Sequence, residues 1–169
     1  MFRSLFILII VLIVACQDGV TPGGHINATK NQVSWSSNAI AVFEPVFGDS
    51  LISILGKEFN NQGFLREQLA FSKVPPRAGI YEVFISGAPH TYLGIGVSYT
   101  KFEGDGHVIS EYQTLDTSYQ NTFSVDVFED SSGTLKATFE CRMIYVNGSN
   151  DTTYTIFKDG SINVVIEEY

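Results

Sequence analysis

From about Gln32 to the C-terminus the chain never holds a helical period for about ten residues. It breaks instead into short runs rich in alternation, β-branched residues and aromatics. The runs are VSWSSNAIAVF, SLISILGKEF, FLREQLAFSKV, IYEVFIS, TYLGIGVSYTKF, HVISEYQTL, NTFSVDVFE, GTLKATFECRMIYV, TTYTIFK and SINVVIEEY. Turn chemistry separates them: FGDS, NNQG, PPRAG, SGAPH, EGDG, DSSG, NGSND and KDGS. Such spacing predicts one all-β domain, a single antiparallel β-sandwich or barrel of about eight to ten strands, largely a meander. FLREQLAFSKV is ambiguous, because Phe64, Leu65, Leu69 and Phe71 would also line one face of a short helix. GTLKATFECRMIYV is long enough that we expect it to bend or to span two sheets.

The N-terminal stretch has a different character. Leu5 to Ala15 are eleven apolar residues without interruption, preceded by Arg3 and followed by the linker-like QDGVTPGG. A spanning helix needs about 20 such residues. Eleven fits the apolar region of a secretory signal peptide. The run ends Ile13-Val14-Ala15-Cys16, which resembles the lipobox of bacterial lipoproteins: an aliphatic residue, a tolerant position, a small residue, then cysteine. The resemblance implies cleavage before Cys16 and a diacylglycerol on its thiol. A thiolate is the nucleophile such a transfer requires, and two or three acyl chains hold a protein on a membrane far better than one. The expected organisation is a signal peptide over 1–15, a lipidated flexible tether over 16–30, and one β domain over 31–169. Gln17, not aspartate, follows the cysteine, which favours the outer membrane of the cell envelope.

The formal net charge is −8, and cleavage before Cys16 would remove Arg3 and no acid. The acids are scattered, so they read as a solubility feature. They argue against nucleic acid as a partner and against adsorption to anionic lipid. The second cysteine, Cys141, is left without an intramolecular partner once Cys16 carries lipid. Leu135, Ala137, Phe139, Cys141, Met143 and Tyr145 alternate onto one face, which predicts a buried structural thiol.

The features from residue 28 onward come in a distinctive order. Trp35 sits in an early strand, and Gly56 lies in LISILGKEF. Gly79 and Tyr81 lie in PPRAGIYEV, and Tyr99 in GVSYTKF. Ser132-Gly133-Thr134 leads into LKATFE, and KDGSINVVI closes the chain. This order resembles a family of uncharacterised lipoproteins of Bacteroidetes, described as a domain of unknown function. One departure is the absence of a glycine shortly before Trp35, where Asn31-Gln32-Val33-Ser34 stands. The resemblance implies an all-β lipoprotein and carries over no catalytic or binding residue.

Motifs for chemistry are scarce. His25, His90 and His107 show no metal-site spacing, so no metal and no cofactor is expected. EGDGH at 103–107 has too few regularly spaced oxygen ligands for a calcium loop. Ser86-Gly87 lacks the first glycine of a nucleophile elbow. Gly94-Ile95-Gly96 has no following helix and reads as a bulge or a tightly packed site. Paired carboxylates would leave no linear spacing, so a hydrolase ranks last. The aromatic excess, thirteen Phe, eight Tyr and one Trp, is read first as core. Tyr92, Phe102 and Tyr112 are the least convincingly inward and are the candidates for a ligand or sugar platform. The expected protein is a non-enzymatic envelope lipoprotein, anchored to the membrane through lipid, that engages an envelope protein. The alternative is a binder of a small apolar ligand or a glycan.

Overall fold

A computed structural model describes residues 23–46, 49–86, 94–104 and 106–167. Among them the architecture is a closed, eight-stranded antiparallel barrel with three accessory strands. The barrel strands are β1 (Gly24–Lys30), β2 (Val33–Val46), β3 (Asp49–Phe59), β4 (Leu65–Val74), β7 (Ile95–Glu103), β8 (Val108–Leu115), β10 (Thr134–Val146) and β11 (Thr152–Glu167). Each pairs with the next, and β11 returns to β1, so the meander closes on itself. Closure pairs most of the sheet edge, the problem every open β-sheet must solve, though among the described residues Val108–Gln113 of β8 has ladder partners only on β7. The accessory strands are β5 (Gly79–Tyr81), β6 (Val83–Ile85) and β9 (Thr122–Glu129). β9 pairs with the first half of β10, β5 pairs with β9, and β6 runs parallel to the start of β7.

One expectation changes and one ambiguity is resolved. Gly24–Lys30 is a strand of the barrel, not the end of the tether. Ile26 and Ala28 point inward and are buried, and the strand is paired on both sides, to β2 and β11. The Gly-rich and Thr-rich composition hid this two-residue apolar alternation. FLREQLAFSKV is a strand, with Leu69 and Phe71 wholly buried and Glu67 on the same inward parity. The length of β10 has the expected consequence. Its first half pairs with β9, and its second half reaches β8 through Met143 and Ile144.

The interior is filled with side chains in layers. Trp35 and Tyr99 both meet the Phe157 ring edge-on, at 5.3 and 5.2 Å between centroids. Phe71 packs on Phe123 and Phe139 at 5.2 and 4.9 Å. The Phe139 ring lies so close to Gly160 that a Cβ there would fall 2.5 Å from it. Cys141 is buried within this packing, and burial, reinforced by the neighbouring Glu140, pushes its thiol far above the ordinary range. It is a structural thiol, as its alternation indicated. Gly94 and Gly96 are likewise sites of close packing, with a Cβ on Gly94 falling 1.9 Å from the Phe84 ring.

The β1–β2 hairpin has a two-residue loop in which Asn31 and Gln32 both take positive φ, at 48° and 71°. That is the requirement of a type I′ turn, for which Asn-Gly is the favoured pair. Asn31 is held further by Ile156: their backbone N–H and C=O meet at 2.9 Å, and Asn31 Oδ1 accepts from Ile156 N–H at 2.8 Å. Gln32 has no such compensation and occupies the segment where the resemblance would place a glycine. Gln32→Gly is expected to stabilise the barrel by about 0.5–1 kcal/mol, because the left-handed strain exceeds the entropy cost of glycine. Urea unfolding reads this as a raised midpoint at unchanged slope.

Candidate functional site at the hairpin end of the barrel

Four hairpins, β1–β2, β3–β4, β7–β8 and β10–β11, gather at one end of the barrel. Just inside that end the cross-strand register builds a row of charge. Glu58 of β3 lies opposite Glu67 of β4, Glu67 opposite Lys101 of β7, and Lys101 opposite Glu111 of β8. The row beneath is Gly56, Leu69, Tyr99 and Gln113, and beneath that come Ile54, Phe71 and Val97. The charged row is thus the top layer of the core, on the same strand faces as the aromatic floor.

Lys30, at the end of β1, reaches across the mouth to form an ion pair with Glu67. The Trp35 indole N–H is shared by two carboxylates, at 2.7 Å from Glu58 Oε2 and 2.8 Å from Glu67 Oε2. Lys101 pairs with Glu111 at 2.9 Å, and the Gln113 amide donates to the other oxygen of Glu111. Lys30 Nζ stands 6.0 Å from the ring centres of both Trp35 and Tyr99. Among the described residues, three buried polar atoms have no hydrogen-bond partner: the Tyr99 hydroxyl, Gln113 Oε1 and the Ser37 hydroxyl. The Tyr99 hydroxyl lies near the Glu67 carboxylate without reaching hydrogen-bond geometry. A cavity of about 540 Å³ opens beside the row, lined by Arg66, Glu67, Lys101, Phe102, Glu103, Gly104 and Ser110.

With Lys30 added, the row sets three carboxylates against two ammonium groups, and their ionisation is correspondingly uneven. Burial raises Glu58 above the ordinary carboxylate range, and the charge and hydrogen bonding of Glu67 add to the rise. Burial would raise Glu67 as well, but the hydrogen bond and charge of Lys30 outweigh it, and Glu67 is lowered. Tyr99 is pushed well above the ordinary phenol range, by burial first and then by Glu67, Glu58 and Glu111.

These directions fix the sign of a pH effect. Glu67 contributes stability above the ordinary value of 4.5, and that contribution is lost as pH falls through its lowered pKa. Glu58 contributes stability that is fully present below 4.5 and is lost as pH rises through its raised pKa. Glu58→Gln is therefore expected to remove the part of the stability that is lost as pH rises above 4.5. Urea midpoints measured across that rise check it, and a variant with an unchanged slope would contradict the assignment.

The sequence candidates fall unevenly on this site. Cys16, Tyr92 and His90 lie outside the described residues. Phe102 lines the cavity beside the row. Tyr112 sits on the outer face of β8 opposite Thr100, 47% exposed, and does not line that cavity. The structure does not bring Phe102 and Tyr112 into one aromatic platform. His25 belongs to β1 and His107 to the β7–β8 turn. Among the described residues no group of three or more His, Cys, Asp or Glu is placed to hold a metal ion. Lys30, Glu58, Glu67, Lys101, Glu111 and Gln113 were not singled out from the sequence. Their available signal was parity, since Glu67 alternates with Leu69 and Phe71, and Lys101 with Tyr99 and Val97.

The hairpin end also gathers most of the exposed apolar side chains, while Ile80, Ile85 and Val165 are exposed elsewhere. Val33, Phe59, Phe64, Val108, Ile109, Tyr112, Val146 and Tyr154, each 39% exposed or more, all sit at or beside its four turns. The β8–β9 connection carries a different network. Arg142 pairs with Asp116 at 2.6 Å and lies over the rings of Tyr119 and Tyr154 at 4.8 and 5.0 Å. Hydrogen bonds from Ser118 hold Asp116 below the usual carboxylate range against its burial, with Arg142 assisting. Asn121 ties this loop to β10 by accepting from the Arg142 N–H at 2.9 Å. This network fixes the β8–β9 connection.

Comparison of the chain with protein-family models, with curated proteins and with solved structures finds no match.

Proposed function

We propose that this chain is a lipid-anchored protein of the bacterial cell envelope, of the Bacteroidetes lipoprotein family its sequence resembles. In this reading its barrel is a non-catalytic module that binds a partner protein through the hairpin end. The observation that carries the reading is polarity along the barrel axis. Gly24 starts β1 at the end away from the hairpins, opposite Val164 of β11. A tether from Cys16 would therefore leave the barrel at its far end and present the apolar rim and charged mouth away from the membrane. Contiguous exposed apolar surface rimmed by polar groups is the mark of an interaction site. The carboxylates of the mouth are already engaged by Trp35, Lys30, Lys101 and Gln113, which supports recognition over catalysis.

Two experiments test this. Cys16→Ala is expected to abolish metabolic labelling by a fatty-acid analogue and to release the protein from the membrane fraction. Continued labelling would overturn the anchor. Affinity capture from solubilised envelopes is expected to recover a partner with the wild-type chain and to lose it with Phe64→Asp combined with Tyr112→Asp. Equal recovery by both would move the interface elsewhere. A glycan reading rests on a single observation, the half-buried Phe102 ring beside polar groups in the 540 Å³ cavity. A saturable response of Trp35 fluorescence to oligosaccharides, in place of protein capture, would favour it.

A further inference from the structure

The barrel is incompletely zipped at its hairpin end. β8 pairs with β10 only through Leu115–Met143 and Thr114–Ile144. Among the described residues, the Val108–Gln113 part of β8 has ladder partners only on β7. The Asp116 N–H donates to the Arg142 carbonyl of β10 at 2.8 Å, so strand alternation turns the backbone N–H and C=O of Tyr112 towards the open seam. An unpaired edge of this kind is a template for another extended chain. Val108, Ile109 and Tyr112 on this stretch are all about half exposed or more.

What lies behind the seam gives the chemistry of the occupant. A strand seated on an edge sends alternate side chains to the two faces of the sheet. Here the inner face is the charged mouth, where, among the described residues, Glu67 is paired with Lys30 and Glu111 with Lys101, and Glu58 has no ion pair of its own. Gln113 is wholly buried on that face, and its Oε1 has no hydrogen-bond donor. One carboxylate in excess and one buried acceptor without a donor both favour an incoming cation that carries N–H groups.

We propose that the open β8 edge and the charged mouth form one receptor for an extended segment of a partner protein, with a lysine of that segment entering among Glu58, Glu111 and Gln113 Oε1. This rests on the reading of the hairpin end as the interaction surface and names what that surface recognises.

The test uses the full chain in detergent, with the only tryptophan of the protein, Trp35, as the reporter. The probes are the blocked peptide Thr-Val-Lys-Val-Thr, the same peptide with norleucine in place of lysine, and n-butylamine. The lysine peptide is expected to change Trp35 emission saturably and to bind at least about tenfold more tightly than the norleucine peptide, the effect of one charge-assisted hydrogen-bonded contact. Glu58→Gln is expected to remove that preference while the circular dichroism of the barrel is unchanged. Tyr112→Pro, which deletes a seam-facing N–H on an edge where proline is tolerated, is expected to weaken both peptides. Equal affinity of the two peptides, n-butylamine matching the lysine peptide, or no response to any probe would each overturn the proposal. If the envelope partner is still captured through the hairpin rim while the peptides fail, this inference falls alone. If capture fails as well, the interaction reading falls with it.

Discussion

Phe157→Ala is expected to destabilise the barrel by about 3–5 kcal/mol, the cost of removing a fully buried aromatic side chain. Phe157 is wholly buried at the point where the aromatic floor meets the charged mouth. Its ring meets Trp35 and Tyr99 in two near-perpendicular contacts, at 72° and 75° between planes. Such pairs add about 0.5–1.5 kcal/mol each beyond the area they bury. Closed strands cannot move inward freely to fill the gap, so the cavity term adds to the transfer term. Urea unfolding followed at Trp35 and by far-ultraviolet circular dichroism measures the loss. Phe59→Ala, at a site 47% exposed, serves as the control and should shift stability by no more than about 0.5 kcal/mol. A loss at Phe157 below about 1 kcal/mol would show that the mouth does not rest on this ring.

Glu67→Met is expected to cost about 2–3 kcal/mol, because it leaves Lys30 without its ion-pair partner and removes one of two acceptors from the Trp35 indole. The side chains of Lys30 and Glu67 are 21% and 18% exposed, so the figure lies below that of a fully buried pair. The informative comparison is the double variant with Lys30→Met. Replacing both members by apolar groups of similar length avoids the stranded charge, so the double variant should be more stable than the sum of the singles implies. The coupling is expected to be about 1–3 kcal/mol. Additive losses would mean that Lys30 and Glu67 do not act as a pair in solution.

The strands were legible in the sequence because alternation and turn residues are local. LKATFECRMIY displays its inward face directly, and Cys141 lies where that pattern puts it. The choice between sandwich and barrel was not legible, because the same alternation serves both. Closure depends on β11 returning to β1, and β1 looked like linker because Gly23 precedes it and Gly24 opens it. Gly24 is in fact pressed against the β11 backbone, where a Cβ would fall 2.1 Å from the Asn163 carbonyl oxygen. The charged mouth was hidden for a related reason. A glutamate near a strand end reads as solvated surface, and only the register between strands aligns Glu58, Glu67, Lys101 and Glu111 in one row. Register is a property of pairs of strands, and a single strand does not reveal it. The aromatic excess proved ambiguous in the expected direction. Phe71, Phe123, Phe139, Phe157, Tyr99 and Trp35 fill the interior, and Tyr112 faces outward.

Polarity of the barrel is the claim on which the functional account stands, and crosslinking in intact cells tests it most directly. A photoreactive side chain placed in turn at Phe64 and Tyr112, on the hairpin end, and at Asp126 and Val165, away from it, reports what each surface touches. The account predicts a discrete adduct of the same partner from Phe64 and Tyr112, and none from Asp126 or Val165. Adducts of equal yield from both sets of positions, or adducts from Asp126 and Val165 alone, would contradict it.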